Sequence, residues 1–137
     1  MKRRILLTGA LGGALTILAG CGKRSIYDVN DELVARPHIT EARLVLTGGL
    51  GLRDGIAGHL TFDVDGDAFM RALDSAWRVV TEFIFELDEG KDRRIIQVAA
   101  RRADGTDIDP GKLLGGRFAE PAVTASFEPF YERYGLR

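Results

Sequence analysis

Residues 65–87 read DGDAFMRALDSAWRVVTEFIFEL, and the point where this run changes from helix to strand decides the fold. Asp65 or Asp67 can cap a helix. Phe69, Leu73, Ala76, Trp77 and Val80 recur at three- and four-residue spacing, an apolar stripe on one helical face. Past Val80 two readings stay open for residues 79–87. The stripe continues through Phe83 and Leu87 as one long helix. Thr81-Glu82-Phe83-Ile84-Phe85-Glu86-Leu87 also alternates at period two and carries β-formers. The alternation favours a strand, which Asp88-Glu89-Gly90-Lys91-Asp92 turns into a further strand over 94–99.

Upstream, residues 41–47 alternate, with Ala42, Leu44 and Leu46 on one side and Arg43 and Val45 on the other. Residues 56–64 repeat the pattern: Ile56, Leu60, Phe62 and Val64 lie opposite His59, Thr61 and Asp63. The glycine-rich run 48–55 between them completes an antiparallel hairpin. Downstream, residues 102–116 hold four glycines and Pro110 and read as loop, and 122–127 add a fifth strand. Phe127, Phe130, Tyr131 and Tyr134 fall at i, i+3, i+4, i+7, with Pro129 suited to a first helical turn and Gly135 to the stop. The expected class is α+β: a small antiparallel sheet of four to five strands, one main helix on one face and a short C-terminal helix.

The chain has 137 residues, with 19 basic and 20 acidic side chains. It is 45% apolar and 28% charged. That composition fits one folded domain and not a disordered tail. A net charge of −1 argues against a duplex-wrapping nucleic-acid binder. The single cysteine excludes an intrachain disulfide framework and a multi-cysteine zinc site.

That cysteine stands in an informative place. Met1-Lys2-Arg3-Arg4 is a basic start, residues 5–19 carry no charge, and the run ends Leu18-Ala19-Gly20-Cys21. The uncharged run is short for a membrane-spanning helix and contains three glycines. Over its first 22 residues the chain resembles bacterial lipoproteins, whose leader ends in [LV]-[AST]-[AG]-C. The resemblance implies that residues 1–20 are a signal peptide, recognised at Leu18, Ala19 and Gly20 and then removed. It also implies a diacylglyceryl group on the sulfur of Cys21 and often an acyl chain, such as palmitate, on the new amine. Two or more chains hold a protein firmly where one is marginal. The mature chain would then have 117 residues, 16 basic against 20 acidic, and a net charge of −4. Residues 21–36 are expected to form a lipid-anchored tether, with one helical turn over Asn30-Asp31-Glu32-Leu33-Val34-Ala35 capped by Asn30, and residues 37–137 the single domain.

The resemblance places the domain in the bacterial cell envelope, in the periplasm or outside. Gly22 stands where Asp retains such proteins at the inner membrane, which favours the outer membrane in a diderm cell. Arg3-Arg4-Ile5-Leu6-Leu7 also resembles a twin-arginine export signal, with Lys2 and Leu6 departing from it, so both export routes stay open.

Other candidate chemistry is weighed against ordinary structure. Asp63-Val64-Asp65-Gly66-Asp67 resembles the start of an EF-hand calcium loop, with Asp74 at its twelfth position. Ala68 replaces the bend glycine and Arg71 stands where a ligand belongs, so a capped strand-to-helix turn is the favoured reading. Asp104-Gly105-Thr106-Asp107-Ile108-Asp109 reads as an acidic turn. Gly48-Gly49-Leu50-Gly51 lacks the Lys-Ser/Thr ending of a phosphate loop. His38 and His59 are the only histidines, and no nucleophile elbow surrounds Ser25, Ser75 or Ser126. Arg93-Arg94 and Arg101-Arg102 bracket a strand; edge protection or pairing with Glu82, Glu86 or Asp88 is favoured over anionic headgroups. The Phe127, Phe130, Tyr131, Tyr134 stripe reads as core, or, if exposed, as a partner face.

The expectation is therefore a non-catalytic domain on a lipid anchor that binds or supports another envelope protein. No cofactor beyond the covalent lipid and no nucleic acid is implied. A calcium-dependent binding module and an envelope hydrolase with an unrecognised site are the alternatives.

Overall fold

A computed structural model describes residues 24–115 and 126–137. Helix α1 (Ile26–Val34) leads into strands β1 (Ile39–Gly49) and β2 (Leu52–Phe62), then the long helix α2 (Gly66–Leu87). Strand β3 (Ile95–Arg101), the short β4 (Asp107–Ile108), a 3-10 turn (Pro110–Leu113) and helix α3 (Glu128–Arg133) follow. The class is α+β, with a four-stranded sheet in the order β1-β2-β3-β4. The fifth strand expected over 122–127 falls almost wholly outside the described residues.

The strand expected over 81–87 is instead the last part of α2. Phe83 and Ile84 are both buried, which period-two alternation cannot achieve and a helical stripe can. Three β-branched residues, Val79, Val80 and Thr81, sit mid-helix without breaking it. Each costs only tenths of a kcal/mol in propensity, far less than burying Phe83 and Ile84 returns. The Thr81 hydroxyl also donates to the Trp77 carbonyl at 2.7 Å.

This correction changes the sheet. A hairpin after residue 87 would make every pair antiparallel. With α2 running to Leu87, the helix carries the chain back to the start of β2, and β3 pairs with β2 in parallel, Gly55 opposite Ile95 through Thr61 opposite Arg101. The sheet is therefore mixed. The β1–β2 hairpin and its facing are as expected. Leu44 pairs with Gly58 and Leu60 with Ala42, and Leu44, Ile56, Leu60, Ile96, Val98 and Ala100 share the buried face beneath α2.

Gly58 allows this close pairing. Its φ is +125°, and a Cβ there would lie 1.9 Å from the Arg43 carbonyl oxygen. No L side chain fits without moving β1 away.

The expected tether is largely helix. Ser25 accepts from the Asp28 amide and the Asp28 carboxylate accepts from the Ser25 amide, a reciprocal cap that starts α1. Ile26, Val29 and Leu33 then pack into the core. Polar composition concealed this three-residue stripe. α1 also closes the free edge of β1: Asn30 Oδ1 accepts from the Leu44 amide and Asn30 Nδ2 donates to the Leu44 carbonyl, both at 3.0 Å. An edge strand's outward backbone groups otherwise invite another chain. Asn30→Leu strands both groups, and urea unfolding is expected to show a loss of about 1–3 kcal/mol.

Candidate interaction surface

Beyond the Gly55–Ile95 pair, β1 and β2 continue without a third strand, as a two-stranded arm. The arm ends at Gly49 paired with Leu52, across the turn Leu50-Gly51. Turn residues are normally polar. Here Leu50 is 104% exposed and Leu52 72% exposed. Val45 and Leu46, nearer the sheet, are also exposed, as is Tyr27 on the first turn of α1.

The turn is strained as well as apolar. Leu50 has φ 51° and Gly51 φ 84°, both positive as a type I′ turn requires. Gly51 adopts this freely, whereas a leucine in the left-handed region costs about 1 kcal/mol. Leu50→Asn creates the Asn-Gly pair that this turn favours. Thermal unfolding is expected to show a gain of about 1 kcal/mol. Leu50 is thus a residue that works against the domain's own stability.

The sheet face opposite α2 carries paired charges. His59 Nε2 lies 3.0 Å from Glu41 Oε1, and Arg43 Nε donates to Glu41 Oε2 at 2.6 Å. The hydrogen bond with His59, then that from Arg43, holds the Glu41 carboxyl below its ordinary range. Arg101 donates through two nitrogens to Asp107 and lowers its carboxyl likewise. These exposed pairs contribute little to stability.

The arginine pairs around β3 have separate duties. Arg93 meets Asp54 at 3.0 Å and Arg102 lies 3.6 Å from Asp104, both near the surface. Arg94 is buried against Asp88, the one acid of the expected three that pairs with it. The favoured pairing reading therefore holds for Arg94, though through the loop after α2 and not across a hairpin.

Leu18, Ala19, Gly20 and Cys21 lie outside the described residues. The structure does not gather the four carboxylates of the calcium reading. Asp63 lies 3.1 Å from His38, and Asp65 accepts from the Asp104 amide at 3.1 Å. Asp67 lies in the first turn of α2. Asp65 occupies the N-cap position but makes no side-chain cap bond. Asp74 accepts from Arg133 at 3.0 and 3.1 Å and from the Tyr134 hydroxyl at 2.7 Å. Burial would raise the Asp74 carboxyl, but the bonds from Arg133 and Tyr134 outweigh it and hold it low.

The stripe Phe127, Phe130, Tyr131 and Tyr134 is core, the favoured reading, and the alternative of an exposed partner face falls for its three buried residues. Phe127, Phe130 and Tyr131 are buried against Trp77 and Phe85, and only Tyr134 is partly exposed. An i, i+3, i+4 aromatic set on a six-residue helix has one face to offer, and the core takes it.

A shallow groove of about 510 Å³ lies between the end of α1 and the start of α2, lined by Arg36, His38, Arg71 and Ser75 among others. Asp63 orients the His38 ring through Nδ1, as a supported base would be. Ser75, however, accepts from Arg36 Nη2 at 3.0 Å and makes no hydrogen bond with His38 among the described residues. The His38 and Asp63 side chains are more than half exposed, at 52% and 56%. An attacking hydroxyl needs a base within reach, and this one has an arginine.

The glycines of residues 48–55 identify a turn but do not by themselves mark the exposed arm tip. The signal was present: leucines at 50 and 52 inside a turn, with no polar partner for either.

No protein-family model, no curated protein and no solved structure matches the chain.

Proposed function

We propose that the chain is a lipoprotein of the bacterial cell envelope whose domain, held on Cys21 at the membrane surface, binds or supports another envelope component without catalysing a reaction. The observation that carries this reading is the basic start, the uncharged run and Leu18-Ala19-Gly20-Cys21, with no other cysteine in the chain. The fold adds a second support. The first described helix, α1, begins at Ile26, five residues after Cys21, so the leash is short. An anchored domain would sit against the membrane and not tens of ångströms above it. Among the described residues no helix is long and apolar enough to cross a membrane.

Cells fed a palmitate analogue should incorporate it into the wild-type chain and not into Cys21→Ala. Labelling that persists in the variant removes the anchor. Gentle solubilisation of the tagged wild-type chain should also recover one discrete envelope protein in stoichiometric amount. Recovery of the chain alone removes the binding half of the reading.

A further inference from the structure

The end of the domain from which the chain leads back to Cys21 is also the end that carries the exposed leucines. α1 runs back alongside β1: a short turn joins Val34 to Ile39, and Asn30 sits opposite Leu44. From that shared level, Ser25 lies about 7.5 Å further toward the arm's tip. The four residues from Ser25 back to Cys21 span at most about 14 Å. Leu50 lies about 20 Å beyond Leu44 along the strand. The anchored sulfur and the arm's tip can therefore reach one plane.

We infer that the Leu50-Gly51-Leu52 tip inserts into the membrane that holds the lipid anchor, giving the domain a second contact with lipid and one fixed orientation. This rests on the lipidation of Cys21 proposed above. The chemistry of the tip suits a bilayer. Leu50 and Leu52 are the most exposed aliphatic side chains described, and both project from a narrow arm that can penetrate. Tyr27, 71% exposed, has the ring-and-hydroxyl character that settles at headgroup level. Arg53 follows the tip, is exposed, and meets no carboxylate among the described residues, which suits anionic headgroups. The short leash keeps the tip at high local concentration, so two leucines, each worth about tenfold in partitioning, suffice. The strained backbone of Leu50, which the fold alone would not select, has a use here.

Cys21 is the chain's only cysteine, so in the lipidated full-length chain Leu50→Cys supplies the only thiol free to take a fluorophore. The labelled chain is placed in phosphatidylethanolamine–phosphatidylglycerol vesicles with nitroxide-bearing acyl chains. Ala103→Cys, an exposed site just past the far end of β3, serves as the reference. The nitroxide lipid should quench the label at position 50 at least about twofold more than the label at 103, and aqueous iodide should do the reverse. Equal iodide quenching at both sites, with no effect of the nitroxide, overturns the inference. Shielding from iodide without nitroxide quenching also overturns it, and assigns the tip to a protein contact such as a second copy. If the wild-type chain itself takes the dye, Cys21 is not acylated, and the anchor reading falls together with the inference.

Discussion

Arg94→Met is expected to destabilise the domain by about 3–5 kcal/mol, the cost of leaving half of a buried ion pair behind. Asp88 is the residue that ends α2, and Arg94 immediately precedes β3. Arg94 Nε donates to Asp88 Oδ2 at 2.7 Å and Nη2 to Oδ1 at 3.0 Å, a bidentate pair. The third guanidinium nitrogen, Nη1, donates to the Gly55 carbonyl at 3.0 Å. One side chain thus joins the end of α2, the start of β3 and the level on β2 where the third strand begins to pair. The side chains are 9% and 2% exposed, so water cannot replace what the substitution removes. Methionine fills much of the arginine's volume, which confines the loss to the stranded carboxylate and the Gly55 oxygen. Urea unfolding followed by circular dichroism measures it. The double variant Arg94→Met with Asp88→Leu should recover much of the loss, because an apolar pair leaves no charge uncompensated. A loss below about 1 kcal/mol in the single variant would mean that the pair is solvated.

Trp77→Ala should cost a similar amount, about 3–5 kcal/mol, and should loosen the C-terminus selectively. Trp77 is fully buried on α2. It stacks on Phe127 with ring centroids 5.8 Å apart and meets Phe130 edge-on at the same distance. Phe85, two turns further along, meets Tyr131 edge-on at 4.9 Å, and burial pushes the Tyr131 phenol up to about 12. α3 has six residues, too few to hold a helix without such contacts. The substitution should therefore raise proteolysis and amide exchange in residues 126–137 before the sheet is affected. Circular dichroism is the probe for global stability, since the variant loses the chain's only tryptophan. Trp77→Phe should cost less, because it keeps a stacking ring and removes an indole N–H that has no partner among the described residues. Uniform loosening of the whole domain would contradict the assignment of Trp77 as the C-terminal clasp.

Much of the fold was legible in local pattern, and the misses share a cause. The hairpin was readable because alternation at 41–47 and 56–64 meets a glycine-rich turn, all within one local unit. Residues 81–87 were not, since Phe83 and Leu87 satisfy a strand period and a helix period equally well. Only the burial of Ile84 under tertiary packing separates the two. The parallel β2–β3 pair followed from that one choice, so a local ambiguity became a topological error. Only the second half of α1 was legible, as a turn capped at Asn30; its start was hidden because Ile26, Val29 and Leu33 are diluted by six other residues, and because Ser25 with Asp28 is a short-armed version of the usual Ser/Thr–Glu cap. Of the candidate sites, Asp74 was drawn into a metal reading by spacing along the chain. Its partners Arg133 and Tyr134 lie some sixty residues away, which no local window covers. Leu50 and Leu52 were in plain view but carry meaning only once the arm is known to project.

Intact-mass analysis of the chain purified from its own membranes tests the account at its root. The predicted species begins at Cys21 and carries the added mass of a diacylglyceryl thioether, with or without an acyl chain on the amine. A species that retains residues 1–20, or one that starts at Cys21 with an unmodified thiol, would contradict it.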